Sequence, residues 1–132
     1  MTGIAVTLKQ RDTTTSIATI RNHQIVMDRP EAKGGHNVGP MGAEVLLASL
    51  GGCFMSNLRA AIVARDNRCV SGIALSSTAT VATDAARFSA IQMRVIAEAD
   101  PSQRQKLVTI ADWSCVAANT LRGALELTVS VG

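Results

Sequence analysis

The chain opens with short β-branched runs. Residues 4–8 (IAVTL) and 16–20 (SIATI) flank the polar stretch KQRDTTT, which supplies a turn, so the pair reads as a hairpin. A third run, residues 24–27, follows closely. The next segment, DRPEAKGGHNVGPMG, is rich in Gly and Pro and reads as a loop, long enough for so small a chain that a functional role is expected of it. From residue 43 to about 65 the period changes: Leu46, Leu47, Leu50, Phe54, Leu58, Ala61 and Ile62 recur at steps of three and four, which predicts a central helix burying one face. Residues 70–81 and 88–97 then read as two strands joined by the turn TDAARF. Pro101, with Asp100 or Ser102 as cap, starts a second helix carried by Leu107, Ile110, Ala111, Val116 and Leu121, and residues 125–131 close as a strand.

The predicted order is βββ-α-ββ-α-β, an α+β arrangement rather than a doubly wound one. With 132 residues, one domain spanning 1–132 and one core are expected. The central helix also carries Ala48, Gly51, Gly52 and Ala60, so its apolar surface exceeds what one small sheet covers, and another chain is expected to cover the rest.

Composition narrows the function. Apolar residues at 47% against charged residues at 17% describe a chain that folds. Aromatic residues at 2% leave almost no stacking platform for single-stranded nucleic acid, and the basic residues behind the net charge of +3 are scattered, so a nucleic-acid partner is not expected. The N-terminal residues lack the apolar core of a secretory leader, which points to the cytoplasm. Residues 45–64 are interrupted by Asn57 and Arg59 and read as too polar for a bilayer span, so no membrane partner is expected.

Three cysteines, Cys53, Cys69 and Cys115, form neither a metal-ligand spacing nor a disulfide framework. Cys53 follows Gly51-Gly52 in mid-helix, where two glycines cost about 1.5–2 kcal/mol of helix propensity relative to alanine. Two explanations stand: close approach of a substrate or another backbone to the sulfur, or tight helix packing around an inert thiol. Cys115 is the only other cysteine on a predicted helix, whereas Cys69 has no partner nearby and is left out of the chemistry. His23 and His36 lack a second ligand at metal spacing and read as surface residues of strand end and loop. No phosphate-binding glycine motif is present, and no metal or cofactor is expected.

The run GPMGAEVLLASLGGCF, preceded by DRPEAKGG and followed far downstream by SCVAANTL, resembles the OsmC/organic hydroperoxide resistance family of thiol peroxidases, in particular its branch with a Gly-Gly-Cys motif. The resemblance runs from about residue 27 to the C-terminus. It implies an intertwined homodimer with active sites between subunits, a peroxidatic Cys53, a resolving Cys115, an organic hydroperoxide as substrate, and an external dithiol, of lipoyl type, as reductant. It also implies an arginine and a glutamate near the sulfur. Their nearest matches are Arg29, with Arg11 and Arg21 as competitors, and Glu44.

The chain departs from the family pattern in two places. The Asn-Pro-Glu of the peroxidase branches is missing, its Glu position being held by Ala43, and Val116 replaces the proline of a Cys-Pro pair. Glu44 stands nine residues before Cys53, which on a straight helix places the two on opposite sides, so a role at the helix N-terminus or toward the partner subunit is the alternative.

A peroxidase cysteine reacts as its thiolate, and an ordinary thiol of pKa about 8.5 is only a few per cent ionised at pH 7, a shortfall that a nearby guanidinium corrects. Leu46, Leu50, Phe54, Met55 and Trp113 are candidates for an apolar entrance, with core packing as the competing role. The alternative function is a catalytically weak dimer binding an apolar small molecule in the same cleft.

Overall fold

The structure is a computed structural model that describes residues 3–65 and 70–132; Cys69 lies outside them. The chain divides into two compact units, Met1–Leu46 and Leu47–Gly132.

The first unit is an antiparallel sheet of β1 (Thr7–Gln10), β2 (Ser16–Ile20) and β3 (His23–Met27) in the order β1-β2-β3. β1 falls later than the IAVTL run expected to form it, and the turn explains why. The Asp12 carboxylate accepts the N–H groups of Thr14 (3.0 Å) and Thr15 (2.9 Å), and Arg11 N–H donates to the Thr15 carbonyl at 2.9 Å. This Asx-type turn sets the register Gln10↔Ser16 through Thr7↔Thr19, and Ile4 is left 90% exposed. Arg21, in the β2–β3 turn, has φ 54°. After β3 the loop passes through a 3-10 turn over Glu31–Lys33.

Helix α1 (Gly42–Ala64) matches the predicted central helix. In the second unit its residues Leu50, Phe54, Leu58 and Ala61, spaced four, four and three apart, are buried together. They meet one face of a sheet ordered β4-β5-β6, formed by β4 (Ser71–Val81), β5 (Phe88–Glu98) and β6 (Glu126–Val131). The central strand, β5, alternates as a half-buried strand must, with Ile91, Met93 and Val95 sealed and Gln92, Arg94 and Ile96 exposed. β4 pairs with it antiparallel and β6 parallel. A parallel pair needs a crossover, which here is helical.

The crossover is where the structure differs from the sequence expectation of a single second helix. It is two helices, α2 (Pro101–Ser114) and α3 (Val116–Arg122), broken at Cys115, whose backbone is extended (φ −81°, ψ 111°). Asp100 is the residue that caps α2, accepting the N–H groups of Ser102 and Gln103. Leu107, Val108 and Ala111 of α2 and Ala118 of α3 complete the core.

By length and composition α1, with a mean hydropathy of 1.4, is long and apolar enough to cross a bilayer, contrary to the expectation drawn from Asn57 and Arg59. Its many Leu, Ala and Val residues outweigh two polar ones. Leu50, Phe54 and Leu58 are nonetheless occupied by the core of the chain, and 28% of the most apolar window is buried.

Candidate active site

Cys53 is half-buried on α1, one residue before the sealed Phe54. The glycine pair before it divides into two cases. A Cβ at Gly51 would stand 3.1 Å from Leu75 Cδ2 on β4, so close helix-to-sheet packing explains this glycine, whereas a Cβ at Gly52 would meet nothing within 4 Å. One turn later Asn57 donates its side-chain amide to the Cys53 carbonyl at 2.9 Å and lies 3.9 Å from Cys53 Sγ. Sequence reasoning counted Asn57 only as an interruption of an apolar stretch; the available signal was an amide four residues after a cysteine on a helix, where i and i+4 share a face.

The break between α2 and α3 places Cys115, fully buried, against Cys53. Cys115 is both the C-cap of α2, its N–H bonded to the Asp112 carbonyl, and the N-cap of α3, its Sγ accepting the Ala118 N–H at 3.4 Å. Burial pushes its thiol above the ordinary value; the Ala118 N–H opposes the rise, and the Cys53 side chain, within hydrogen-bonding range, adds to it. Both cysteines are free thiols. The structure thus brings the side chains of Cys53 and Cys115 together, and presents Cys115 by a helix break, not from within a helix.

Arg29 and Glu44 belong to the first unit. Arg29 is exposed, but its backbone is fixed. Its N–H donates to Asp28 Oδ1 at 2.7 Å, and its carbonyl accepts the Asn37 N–H at 3.0 Å. A Cβ at Gly35 would fall 2.1 Å from that carbonyl oxygen, so only glycine permits this approach. The buried Asp28 also accepts the N–H groups of His36 (3.0 Å) and Val38 (3.4 Å). Burial works against its ionisation, but the Arg29 N–H, the Thr14 hydroxyl and the His36 and Val38 N–H groups outweigh that and hold the carboxyl down at about 2. Asp28 is therefore the anchor of the loop, a role the sequence did not single out. Beside it, Leu8, Thr14, Ser16, Met27, Arg29 and Met41 border an open hollow of about 300 Å³.

Glu44 sits in the first turn of α1 and its Oε1 accepts the Met41 N–H at 2.9 Å. This is the reach-back bond of a capping box, in keeping with the helix-terminus alternative. His36 bonds Thr14 Oγ1 through Nδ1 at 2.9 Å, tying the loop to the β1–β2 turn, and His23 is exposed at the start of β3. Arg11 and Arg21 lie exposed in the two hairpin turns.

Of the expected apolar entrance, Leu50 and Phe54 are fully buried core residues and cannot line one. Leu46 and Trp113 are exposed, at 40% and 75%, and Met55 joins Leu47, Ala48, Gly51 and Leu75 around an open groove of about 340 Å³. Among the described residues no group of three His, Cys, Asp or Glu side chains is placed to hold a metal.

Comparison with known proteins places this geometry. No curated protein sequence matches the chain. Solved structures do. An OsmC-like protein from Mycoplasma pneumoniae is 17% identical with a TM-score of 0.83, covering 99% of this chain and 96% of that one. A putative osmotic stress induced and detoxification response protein from Psychrobacter arcticus is 20% identical with a TM-score of 0.81, covering 100% and 98%. An organic hydroperoxide resistance protein from Elizabethkingia anophelis, crystallised with thiocyanate, is 17% identical with a TM-score of 0.76, covering 100% and 96%. At these identities the likeness establishes a shared α+β fold. The family model described as OsmC-like protein matches residues 34–130, a span that begins at Gly34 inside the glycine-rich loop and takes in Cys53, Cys115 and the helical crossover, and the chain therefore belongs to the OsmC-like protein family.

Proposed function

We propose that this chain is a thiol-dependent peroxidase that reduces organic hydroperoxides, with Cys53 as the attacking and Cys115 as the resolving residue. The observation that carries the reading is the meeting of two free sulfurs, one half-buried and one sealed, from elements 62 residues apart. The family and its organic hydroperoxide resistance neighbours support the same class of chemistry.

In this reading the Cys53 thiolate attacks the distal peroxide oxygen. The O–O bond breaks, the leaving alkoxide takes a proton and departs as an alcohol, and Cys53 becomes a sulfenic acid. Cys115, kept as a thiol by burial, attacks the Cys53 sulfur. The S–OH bond breaks, the Cys115 proton leaves with the hydroxyl as water, and a disulfide forms. An external dithiol, of lipoyl type, returns two electrons and two protons. Asn57 stabilises the thiolate before attack.

Arg29 is assigned the guanidinium that attracts the sulfur and the peroxide oxygens, its backbone held by Asp28. Glu44 is assigned to the start of α1, where it secures the end of the same loop. We further propose that the chain works in the cytoplasm as a homodimer, the second copy covering the apolar surface that α1 leaves open around Ala48 and Gly52.

The test is turnover of cumene hydroperoxide against hydrogen peroxide with a dithiol donor. Cys53→Ser should abolish it. In Cys115→Ser, one equivalent of hydroperoxide should leave a sulfenic acid that dimedone labels at Cys53. Label at Cys69 instead, or no preference for the organic peroxide, would overturn the assignment.

A further inference from the structure

A helix of seven residues does not hold itself together in water, so α3 needs support from its surroundings if it is to begin at Cys115. The structure supplies that support with a polar clasp across the break. Arg122, in the last turn of α3, forms an ion pair with Asp112 near the end of α2. Its other guanidinium nitrogen donates to Asn119 Oδ1 at 3.0 Å, and the Asn119 side-chain amide donates to the Trp113 carbonyl at 3.0 Å, one of the carbonyls that the end of α2 leaves open. The Asn119 N–H in turn bonds the Cys115 carbonyl at 2.9 Å. Three side chains thus bridge the two helices on either side of the buried sulfur. A lone exposed ion pair is weak, but the forked guanidinium here joins two acceptors and the chain continues to a backbone carbonyl.

We propose that Asp112, Asn119 and Arg122 are positioning residues that fix the α2–α3 break and so hold Cys115 Sγ against Cys53. This rests on the reading of Cys115 as the resolving thiol, but it concerns the approach of the two sulfurs and not the oxidant. Without the clasp the residues after Ser114 are free to continue α2 or to fray, and either carries the Cys115 sulfur off its position. The same geometry shows what can replace the clasp. Val116 is the first residue of α3, where the N–H has no intrahelical partner and proline is favoured, and the extended backbone of Cys115 is the conformation a residue before proline adopts.

The experiment measures Cys53–Cys115 disulfide formation on the folded chain with diamide, whose N=N bond takes the two electrons and two protons released by the thiols. Peptide mapping identifies the linked pair, and Cys53 alkylation by iodoacetamide in the reduced protein serves as the control. Arg122→Met and Asn119→Ala should each slow the disulfide by about fivefold or more while leaving Cys53 alkylation within about twofold. Arg122→Lys, which keeps the charge but not the fork, should fall between. Adding Val116→Pro to Arg122→Met should restore the rate to within about twofold of the parent.

Unchanged disulfide formation in Arg122→Met and Asn119→Ala would overturn the proposal. So would a slowing that Val116→Pro leaves unrelieved in a protein whose far-UV dichroism matches the parent. Because diamide replaces the peroxide, a failure of the peroxidase reading would appear separately, as absent hydroperoxide turnover with the clasp effects intact.

Discussion

Replacing Asn57 by Asp changes one atom group and reverses its effect on the reactive sulfur. In the parent the Asn57 amide nitrogen lies 3.9 Å from Cys53 Sγ; in Asn57→Asp a carboxylate oxygen takes its place. Two unit negative charges about 4 Å apart repel by about 1 kcal/mol in bulk water and about 4 kcal/mol at an effective dielectric of 20. Cys53 and Asn57 are both half-buried, so the repulsion falls between these limits, and a middle value of about 2 kcal/mol corresponds to roughly thirtyfold slower alkylation of the Cys53 sulfur near pH 7. Asn57→Leu loses the amide's 2.9 Å bond to the Cys53 carbonyl together with its long contact to Sγ, without adding a charge, and should cost about two- to fivefold. The assay is the rate of Cys53 alkylation by iodoacetamide from pH 6 to pH 10, mapped by peptide mass to separate it from Cys69 and Cys115. Asn57→Asp should lag the parent most near pH 7 and converge on it at high pH, where the thiol ionises regardless. Equal rates at pH 7 in Asn57→Asp, Asn57→Leu and the parent, on protein with unchanged far-UV dichroism, would refute the role given to Asn57.

Asp28 should show acid-side linkage: its carboxyl is depressed from 3.8 to about 2, so the loop's stabilisation is complete above about pH 4 and is lost as the pH falls toward 2. Amide NMR shifts of Arg29, His36 and Val38 should therefore hold steady from pH 6 to about pH 3 and then move together, and Asp28→Asn should remove that titration; a midpoint near 4 would contradict the buried anchor. The two glycines before Cys53 should respond differently to alanine. Gly51→Ala should gain less than the increment of about 0.5–1 kcal/mol that one glycine-to-alanine change adds to a helix, because its new methyl meets Leu75 Cδ2 at 3.1 Å, whereas Gly52→Ala, which meets nothing within the single chain, should gain that full amount only if no second copy lies over it; a full gain for Gly51→Ala in a thermal melt would contradict the packing of α1 on β4.

The elements were legible wherever a periodic apolar pattern ran long. α1 was bounded to within a residue because Leu50, Phe54, Leu58 and Ala61 repeat over several turns, and β4 and β5 were found on either side of the turn TDAARF. β1 was misplaced because the β-branched residues Ile4 and Val6 precede its true start at Thr7, and the Asp12 turn, not the apolar run, decides the register. The break at Cys115 was hidden for a different reason: Leu107, Ala111, Cys115 and Ala118, four, four and three apart, continue a plausible helical stripe, and the bonds around the break join residues three to ten apart. The cysteine pair was legible as a motif, while Asp28 and Asn57 were not, since a loop aspartate and a helical asparagine acquire meaning only once their acceptors and donors are located.

The wide separation of the two cysteines along the chain also makes the fold's stability a gauge of its redox state. A Cys53–Cys115 disulfide would tie the middle of α1 to the crossover and close a loop of roughly 60 residues, which by chain-entropy reasoning removes about 4 kcal/mol of freedom from the unfolded ensemble. The oxidised form would then be the more heat-resistant one, and a mixed preparation would melt in two steps whose amplitudes report the fraction oxidised. In the proposed cycle an external dithiol would have to act against that stabilisation at every turn, so a reductant too weak to overcome it would leave the protein in its sturdier, oxidised form.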